Sequence, residues 1–321
     1  MSTVLVAGGA GYIGSMVSRE LLARGHRVVA ADALLFGGEA LLDLLSNPDF
    51  AFRKVDVRDP QGLEALFSTW QFDAVVHLAA IVGDPACKAQ PELATQTLWD
   101  GSRSLLELSD QHGVGHFVFA STCSNYGRME SNAVLDEDAP LRPVSLYAEL
   151  KVRFEELLMA RSVALDFTIL RFATVYGLSL RPRFDLTINE FARDALLKGE
   201  LEVFGPDFWR PYCHVRDIAN AVTMILEQDR GRVAGRVFNV GADDENYQKR
   251  AIAEAVAEQI PVRLRYVERA EDPRDYRVSF ERIAALGFTP RMRLRDGIRE
   301  VAEAIATGLI ADPYAARYRN S

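Results

Sequence analysis

The sequence predicts an α/β fold in which a doubly wound parallel sheet carries a smaller, mixed C-terminal lobe. Short runs rich in β-branched residues alternate with longer helical patterns, the rhythm of βαβ units with helices on both faces of a sheet. With 321 residues and 49% hydrophobic content, the chain can bury one large domain or two lobes. A disordered or fibrous chain is excluded.

The predicted elements follow one another along the first half of the chain. We expect strands at 4–7, 27–31, 74–78, 116–120 and 168–172, with helices at 14–24, 93–112 and 146–160. After about Ala173 the rhythm loosens into a Pro- and Arg-rich segment. The elements that follow are expected at 186–198, 201–205, 215–227, 236–241, 248–259 and 295–307. We therefore predict a sheet domain of residues 1–173 plus about 214–240, and a second lobe of residues 174–213 and 241–321.

Charge and cysteine content narrow the functional class. The net charge is −8 and the basic residues are dispersed, which indicates no nucleic-acid or anionic membrane surface. No apolar stretch reaches the roughly 18 residues of a membrane span, and the N-terminus reads as a strand, so we expect a cytoplasmic protein. Cys87, Cys123 and Cys213 lack zinc or redox spacing, which predicts free thiols and no metal.

A glycine-rich turn follows the first predicted strand. It has the form G-x-x-G-x-x-G and consists of Gly8, Gly9, Ala10, Gly11, Tyr12, Ile13 and Gly14. Glycine permits the tight turn, the close approach of a pyrophosphate and close packing of helix on strand. Asp32 ends the next strand, where a carboxylate can accept both hydroxyls of an adenosine ribose. Because no arginine follows closely, the pattern favours NAD over NADP.

Two further segments are candidates for contact with the dinucleotide. Asp56 and Val57 lie where they can reach the adenine, and Leu78, Ala79 and Ala80 end a predicted strand with small residues. Each of these segments, taken alone, is also compatible with plain core packing. Together with the glycine turn they predict the cofactor-binding surface of a Rossmann-type domain.

A tyrosine and a lysine four residues apart predict the catalytic group. Tyr147 and Lys151 share one face of a predicted helix, so the lysine ammonium is expected near the phenol, and both residues are also expected to contact the cofactor. With the positive nicotinamide ring nearby, it is expected to lower the tyrosine pKa from its reference of about 10. Thr122, just after the strand at 116–120, is expected to hold the substrate oxygen from which the tyrosine removes a proton.

These motifs resemble the extended short-chain dehydrogenase/reductases, specifically the nucleotide-sugar epimerases and dehydratases. The resemblance covers nearly the whole chain and rests on motifs in the family's order: the glycine turn with Asp32, Ser121–Gly127, Tyr147 with Lys151, Leu170–Phe172, Val175–Gly177 and Arg210–Asp217. It implies an NAD-dependent enzyme with a nucleotide-diphosphate sugar substrate. The sheet domain would bind NAD and the second lobe the nucleotide sugar.

The resemblance also implies roles for residues in the sugar pocket. Arg210 and Arg274 would grip the diphosphate, for which a bidentate guanidinium is suited. The sugar would meet Thr122, Cys123, Ser124 and Thr174. Relatives commonly form homodimers through the helices at 93–112 and 146–160, and the apolar residues there serve either that interface or the core: Leu105, Leu106, Leu157 and Leu158.

The residues after Thr122 leave the reaction open. The 4,6-dehydratases carry Asp-Glu there, whereas this chain has Cys123 and Ser124. A UDP-sugar 4-epimerase-like reaction through a transient 4-keto sugar is favoured, because a buried cysteine is more often inert than catalytic. The alternatives are a 4,6- or 5,6-dehydratase, or a C3/C5 epimerase, that uses Cys123. A Rossmann protein that senses NAD without turnover is disfavoured by the intact Tyr147 and Lys151 pair.

Overall fold

A computed structural model describes residues 1–128, 133–160, 164–267 and 274–320 of the protein. Its strands are β1 (Thr3–Ala7), β2 (Arg27–Asp32), β3 (Phe50–Lys54), β4 (Ala74–His77), β5 (His116–Thr122), β6 (Val134–Leu135), β7 (Asp166–Phe172), β8 (Thr174–Tyr176), β9 (Glu200–Phe204), β10 (Trp209–His214), β11 (Arg236–Val240), β12 (Asn246–Gln248), β13 (Arg263–Val267) and β14 (Arg277–Val278).

The α-helices are α1 (Gly14–Ala23), α2 (Pro60–Thr69), α3 (Asp84–Ala89), α4 (Pro91–Thr95), α5 (Ser102–Gln111), α6 (Leu146–Met159), α7 (Thr187–Lys198), α8 (Val215–Glu227), α9 (Arg230–Val233), α10 (Lys249–Ala257), α11 (Glu281–Ala284) and α12 (Leu294–Ala306). A π-helical stretch, Gln96–Gly101, joins α4 to α5. Short 3₁₀ segments lie at Glu39–Ser46, Cys123–Tyr126, Asp243–Glu245 and Ala316–Tyr318.

Seven strands form the central sheet, in the order β11-β7-β5-β4-β1-β2-β3, and every neighbouring pair is parallel. The chain builds outward from β1 first on one side, through β2 and β3, and then on the other, through β4 and β5. A crevice opens where the order reverses, at the carboxyl end of β1. The predicted fold class, a Rossmann-type doubly wound sheet, is confirmed.

Helices cover both faces of this sheet. Alternate residues of β1, such as Val4 and Val6, pack on one face against α1 and α8. The intervening residue Leu5 points to the other face, where α2, α5 and α6 pack. Because both faces are covered, the central strands are apolar on both sides. Three of the leucines considered for a dimer interface, Leu105, Leu106 and Leu158, are buried in this core.

The second lobe has a core of its own, built around α7, α10 and α12. Its sheets are small and mixed: β10 pairs parallel with β8 and antiparallel with β12, and β13 pairs parallel with β9. The division of the chain at residues 173, 213 and 240 stays a prediction. Within the described ranges, no helix is both long and apolar enough to cross a membrane.

Several elements of the sheet domain were not predicted, among them β3 and α2, and one predicted helix was simplified. β3 is an edge strand whose last residues, Arg53 and Lys54, are exposed, so its apolar pattern is weak. Helix α2, which follows β3, was also missed. The predicted helix at 93–112 contains the π-helical stretch, whose extra residue per turn has no signature in a 3.6-residue pattern.

Candidate active site

A cavity of about 470 Å³ opens at the carboxyl ends of the central strands. We call its two ends the cofactor half, lined by the glycine turn, Asp32, Asp56 and residues 78–80, and the reaction half, lined by Thr122, Ser124, Tyr147, Lys151 and Arg274. The cavity lies where the strand order reverses, the place at which open α/β sheets bind their ligands.

The glycine turn has the shape that a dinucleotide requires. Gly8 has φ +86°, and a Cβ on it would lie 2.7 Å from the Ala79 backbone nitrogen. A Cβ on Gly14 would overlap the Gly8 carbonyl oxygen. Gly11, Tyr12 and Ile13 also line the cavity, and α1 begins immediately afterwards. The N–H groups at that helix end suit a diphosphate, so the residues present fit NAD.

Asp32 is held rigidly beside the glycine turn. Its carboxylate accepts hydrogen bonds from the backbone N–H of Ala10 at 3.0 Å and of Leu34 at 2.8 Å. Burial raises the pKa of Asp32, and these two hydrogen bonds oppose that rise. The carboxylate lines the cavity with acceptor capacity remaining, as recognition of ribose hydroxyls requires.

The remaining predicted cofactor contacts differ in what they offer. Asp56 is paired with Arg58 through Nη2–Oδ2 at 2.6 Å, which lowers the pKa of Asp56 and occupies its carboxylate. Val57 lines the cavity and is largely buried. Leu78, Ala79 and Ala80 follow β4 and line the cavity next to Gly8. Asp56 is therefore bound to its own neighbour, a contact that its sequence position did not indicate.

Helix α6 brings Tyr147 and Lys151 to the reaction half. The side chain of Ser145 caps the helix by accepting from the Ala148 N–H, and its hydroxyl donates to Asp84 Oδ1 at 2.7 Å. Lys151 is buried, with Nζ donating to the Ala120 carbonyl at 2.6 Å and lying 4.5 Å from the centre of the Phe119 ring. The cap and the buried lysine fix this end of α6 against β5.

Burial is the largest influence on the titration of Tyr147 in the protein alone. Burial raises the pKa of its phenol, the acids Cys87 and Asp84 raise it further, and the cations that lower it are Arg183 and Arg274. Burial likewise lowers the pKa of Lys151 to about 7, with Glu155 opposing the fall. The lowering of the phenol pKa by Lys151 together with the positive nicotinamide ring stays a prediction, because it concerns the protein with NAD bound; in the protein alone, burial is the largest cause and raises that pKa.

Hydroxyl groups complete the wall beside Tyr147. Thr122 ends β5 and its Oγ1 accepts from the Ser124 N–H at 3.1 Å, which leaves its hydroxyl proton available to donate. Ser124 and Thr174 also line the cavity. Thus Thr122, Ser124, Thr174 and Tyr147 share one cavity wall, as their predicted roles require.

Cys123 is the predicted residue that the structure directs elsewhere. It is 1% exposed, does not line the cavity, and its thiol donates to the Arg171 carbonyl oxygen at 3.2 Å. Burial raises the pKa of the thiol far above its ordinary value. Cys123 begins the 3₁₀ segment that follows β5, and its side chain there points to the Arg171 backbone in the core, away from the cavity that Thr122 lines. A catalytic or sugar-binding role for Cys123 has no geometric support.

The two predicted diphosphate arginines are placed differently. Arg274 lines the cavity and forms an ion pair with Asp84, with Nη1–Oδ2 at 3.0 Å. Arg210 is buried outside the cavity wall, and its guanidinium lies 5.0 Å from the centre of the ring of Tyr276, which does line the cavity. In this structure Arg210 therefore packs behind Tyr276 and does not line the cavity.

Several cavity residues were not identified from the sequence. They are Phe36 and Arg58 near Asp32, Asp84 at the start of α3, and Arg181, Arg183, Asp185 and Asn320 from the second lobe. The Pro- and Arg-rich composition after residue 173 was the available signal for the second-lobe residues. Among the described residues, no cluster of His, Cys, Asp and Glu side chains could hold a metal ion.

Comparison with known proteins identifies the family. A model of the NAD dependent epimerase/dehydratase family matches residues 4–241, well over half of the chain. The chain belongs to this family. The family resemblance, the NAD dependence and the enzymatic nature expected from the motifs are confirmed.

Individual relatives span nearly the same length. The chain is 32% identical over 313 residues to a dTDP-glucose 4,6-dehydratase of Streptomyces griseus, covering 92% of this chain and 91% of the relative. It is 30% identical over 321 residues to a UDP-glucose 4-epimerase of Lacticaseibacillus casei, covering 94% and 95%. The solved structure of a Thermus thermophilus UDP-glucose 4-epimerase with NAD superposes with a TM-score of 0.81 at 30% identity, covering 94% and 98%.

Proposed function

We propose that the protein inverts carbon 4 of a nucleotide-diphosphate sugar, in the manner of a UDP-sugar 4-epimerase, through a transient 4-keto sugar. The observation that carries this proposal is the composition of the wall around Tyr147. Thr122 and Ser124 face the cavity there, whereas Cys123 lies in the core. The wall thus supports proton transfer at a hydroxyl and offers no thiol for a second proton transfer at carbon.

The proposed roles follow from the groups in the reaction half. Tyr147, in the phenolate form that Lys151 and the positive nicotinamide ring would favour, takes the proton of the C4 hydroxyl and later returns it, and Thr122 donates a hydrogen bond to the same oxygen. NAD held by the glycine turn and Asp32 would supply the hydride acceptor and donor for carbon 4. Arg274 binds the diphosphate on which the keto sugar turns. In a cycle of this kind the cofactor is regenerated.

If the protein were a dehydratase, Asp84 would be a carboxylate that could serve as the acid or base in place of Cys123. It lines the cavity, but one of its oxygens accepts from Ser145 and the other is paired with Arg274. A carboxylate committed to two partners orients the cap of α6 and Arg274 rather than moving protons. The 4,6-dehydratase reaction, named for the Streptomyces griseus relative, is therefore the second candidate.

The proposal extends to the setting of the enzyme. We propose that residues 1–173 plus about 214–240 form the NAD-binding domain and that residues 174–213 and 241–321 form the lobe that binds the sugar nucleotide. We also propose that the enzyme is cytoplasmic and forms a homodimer. The leucines of α5 and two of the four leucines of α6, Leu150 and Leu158, are buried in the core. An interface on these helices would therefore use their outer side chains, such as the exposed Met159 of α6.

The reaction is tested with sugar nucleotides in deuterated water. Purified protein is incubated separately with UDP-, GDP-, dTDP- and CDP-sugars, and the products are followed by NMR. We expect a C4-inverted product without carbon-bound deuterium. Deuterium at C5 together with loss of the C6 hydroxyl would identify the dehydratase, and deuterium at C3 or C5 with the hydroxyls retained would identify the C3/C5 epimerase. Binding without turnover of any of these sugars would support an NAD sensor.

A further inference from the structure

Arg181 reaches the cavity from the second lobe and is held there by the segment at 319–320. Its Nη1 donates to the Asn320 side-chain oxygen at 2.7 Å, and its Nη2 donates to the Arg319 carbonyl at 3.0 Å. The residue is 6% exposed and lines the cavity. Its guanidinium lies 4.1 Å from the centre of the Phe36 ring, which follows Asp32 in the cofactor half.

The guanidinium is buried with a donor unused. Among the described residues, the Arg181 Nε has no hydrogen-bond partner. Its two bonded nitrogens donate to neutral oxygens, and among the described residues neither nearby carboxylate, Asp185 or Asp32, is hydrogen-bonded to it. Asp185 is paired with both Nε and Nη2 of Arg183, and Asp32 accepts from two backbone N–H groups. Burying a cation in this way is unfavourable unless an anion joins it.

The place of Arg181 identifies that anion. The loop that carries it begins at Gly177, whose carbonyl accepts from the Tyr12 hydroxyl at 2.7 Å, so the loop is fastened over the glycine turn. Phe36 and Asp32 flank Arg181 on the ribose side. An anion near both the turn and the ribose carboxylate is the bridging diphosphate of the dinucleotide.

We propose that Arg181 binds the diphosphate of NAD from the second-lobe side, opposite the glycine turn, and so retains the cofactor through turnover. A guanidinium fork can donate from Nε and one Nη to two phosphate oxygens. The segment at 319–320 acts as its anchor, because Asn320 also donates to Val82 O at 3.3 Å and to Asp185 Oδ2 at 3.1 Å. Cofactor retention then depends on contacts between the second lobe and the sheet domain.

The test measures binding of NAD, ADP-ribose and adenosine to apoprotein by calorimetry, with the NAD dissociation rate measured by displacement. The variants are Arg181→Met, which removes the charge, and Arg181→Lys, which keeps the charge without the fork. Arg317→Met is the matched control, an exposed arginine of the neighbouring segment that does not line the cavity. Thermal unfolding of each apoprotein checks that it is folded.

We expect Arg181→Met to weaken NAD and ADP-ribose equally, by roughly ten- to a hundredfold, mainly through faster dissociation. Adenosine, which lacks the diphosphate, should change by less than about twofold. Arg181→Lys should lie between wild type and Arg181→Met, and Arg317→Met should match wild type. Equal loss for adenosine, or a loss confined to the sugar nucleotide, would overturn the proposal.

A second variant keeps the inference testable if Arg181→Met does not fold. Asn320→Ala removes the Nη1 anchor and leaves the arginine itself. It should weaken NAD and ADP-ribose together, by less than Arg181→Met does, with adenosine unchanged. Wild-type affinity for NAD in both Asn320→Ala and Arg181→Lys would contradict a role for Arg181 in holding the diphosphate.

Discussion

The two halves of the cavity are built by different means. In the cofactor half, the glycine turn, Asp32 and residues 78–80 come from the ends of three adjacent strands and present mainly backbone and small side chains. In the reaction half, Tyr147 shares the wall with Arg183 and Arg274, which come from loops much further along the chain. The order of the strands determines the arrangement of the cofactor half. The arrangement of the reaction half depends on which long side chains pair with one another once the two lobes have packed.

The largest effect is expected in the reaction half, from Tyr147→Phe. Loss of the phenolic proton carrier should reduce turnover by roughly 10²- to 10⁴-fold. NAD affinity should stay within about twofold, because the cofactor half is intact. Steady-state assays and calorimetry measure the two quantities. Tyr266→Phe, in the second lobe outside the cavity wall, is the control, and full turnover by Tyr147→Phe would refute the assigned role.

Gly14→Ala tests the cofactor half in the same way. Its Cβ would overlap the Gly8 carbonyl, so the turn must shift, at a cost of about 1–3 kcal/mol in unfolding free energy and with loss of NAD binding. Gly25→Ala is the matched control, since no atom lies within 4 Å of a Cβ there and only its φ of +80° opposes the change. Denaturant unfolding and calorimetry compare the two variants. Equal NAD affinity in both would contradict the role of the glycine turn in binding the dinucleotide.

Lys151→Met tests how burial of the lysine charge affects the stability of the folded protein. The pKa of Lys151 is about 7 in the folded protein, whereas its ordinary value is 10.5. Below pH 7 the folded protein therefore bears the full cost of burying the charged ammonium. Between these values the unfolded chain binds a proton that the folded protein lacks, so wild-type stability gains with rising pH, by on the order of a few kcal/mol. The methionine variant lacks this gain.

Urea unfolding at about pH 6.5 and about pH 9.5 measures that difference for both proteins. The variant should be more stable than wild type at the lower pH, and this advantage should shrink at the higher one. A constant difference across the range would mean that the ammonium is not desolvated in the folded protein.

Asp84→Asn sharpens the electrostatic side of the comparison. The Asp84 carboxylate raises the pKa of Tyr147, so its removal should shift the ascending limb of the kcat–pH profile toward lower pH. Asparagine can still accept from Ser145, which preserves the helix cap. An unchanged profile with an altered KM would assign Asp84 to Arg274 and the substrate alone.

The smallest effect is expected from Cys123→Ala. A thiol that only fills the core should leave turnover within about twofold of wild type, while the small cavity lowers unfolding stability by about 1 kcal/mol. Product NMR in deuterated water and denaturant unfolding report both quantities. A drop of two orders of magnitude in turnover would restore Cys123 as a proton carrier and favour the dehydratase or the C3/C5 epimerase.

The difference between the halves explains which predictions succeeded. The strand, glycine turn, helix and Asp32 are consecutive in the chain, so a local pattern located them. Arg58, only two residues beyond Asp56, was still missed as its partner, because a pattern does not reveal which way a side chain turns. Arg181 and Asn320 meet only after the second lobe has packed on the sheet domain.

The sequence by itself determined the parallel sheet, the glycine turn with its ribose carboxylate, and the Tyr147 and Lys151 helix, because each depends on residue spacing within one element or turn. Only the tertiary structure decided that Cys123 faces the core, that Arg210 stands behind the cavity wall, and that Asp84 is paired with Arg274. Burial and ion pairing join residues far apart in the chain, so desolvation and the direction of pKa shifts are properties of the packed fold.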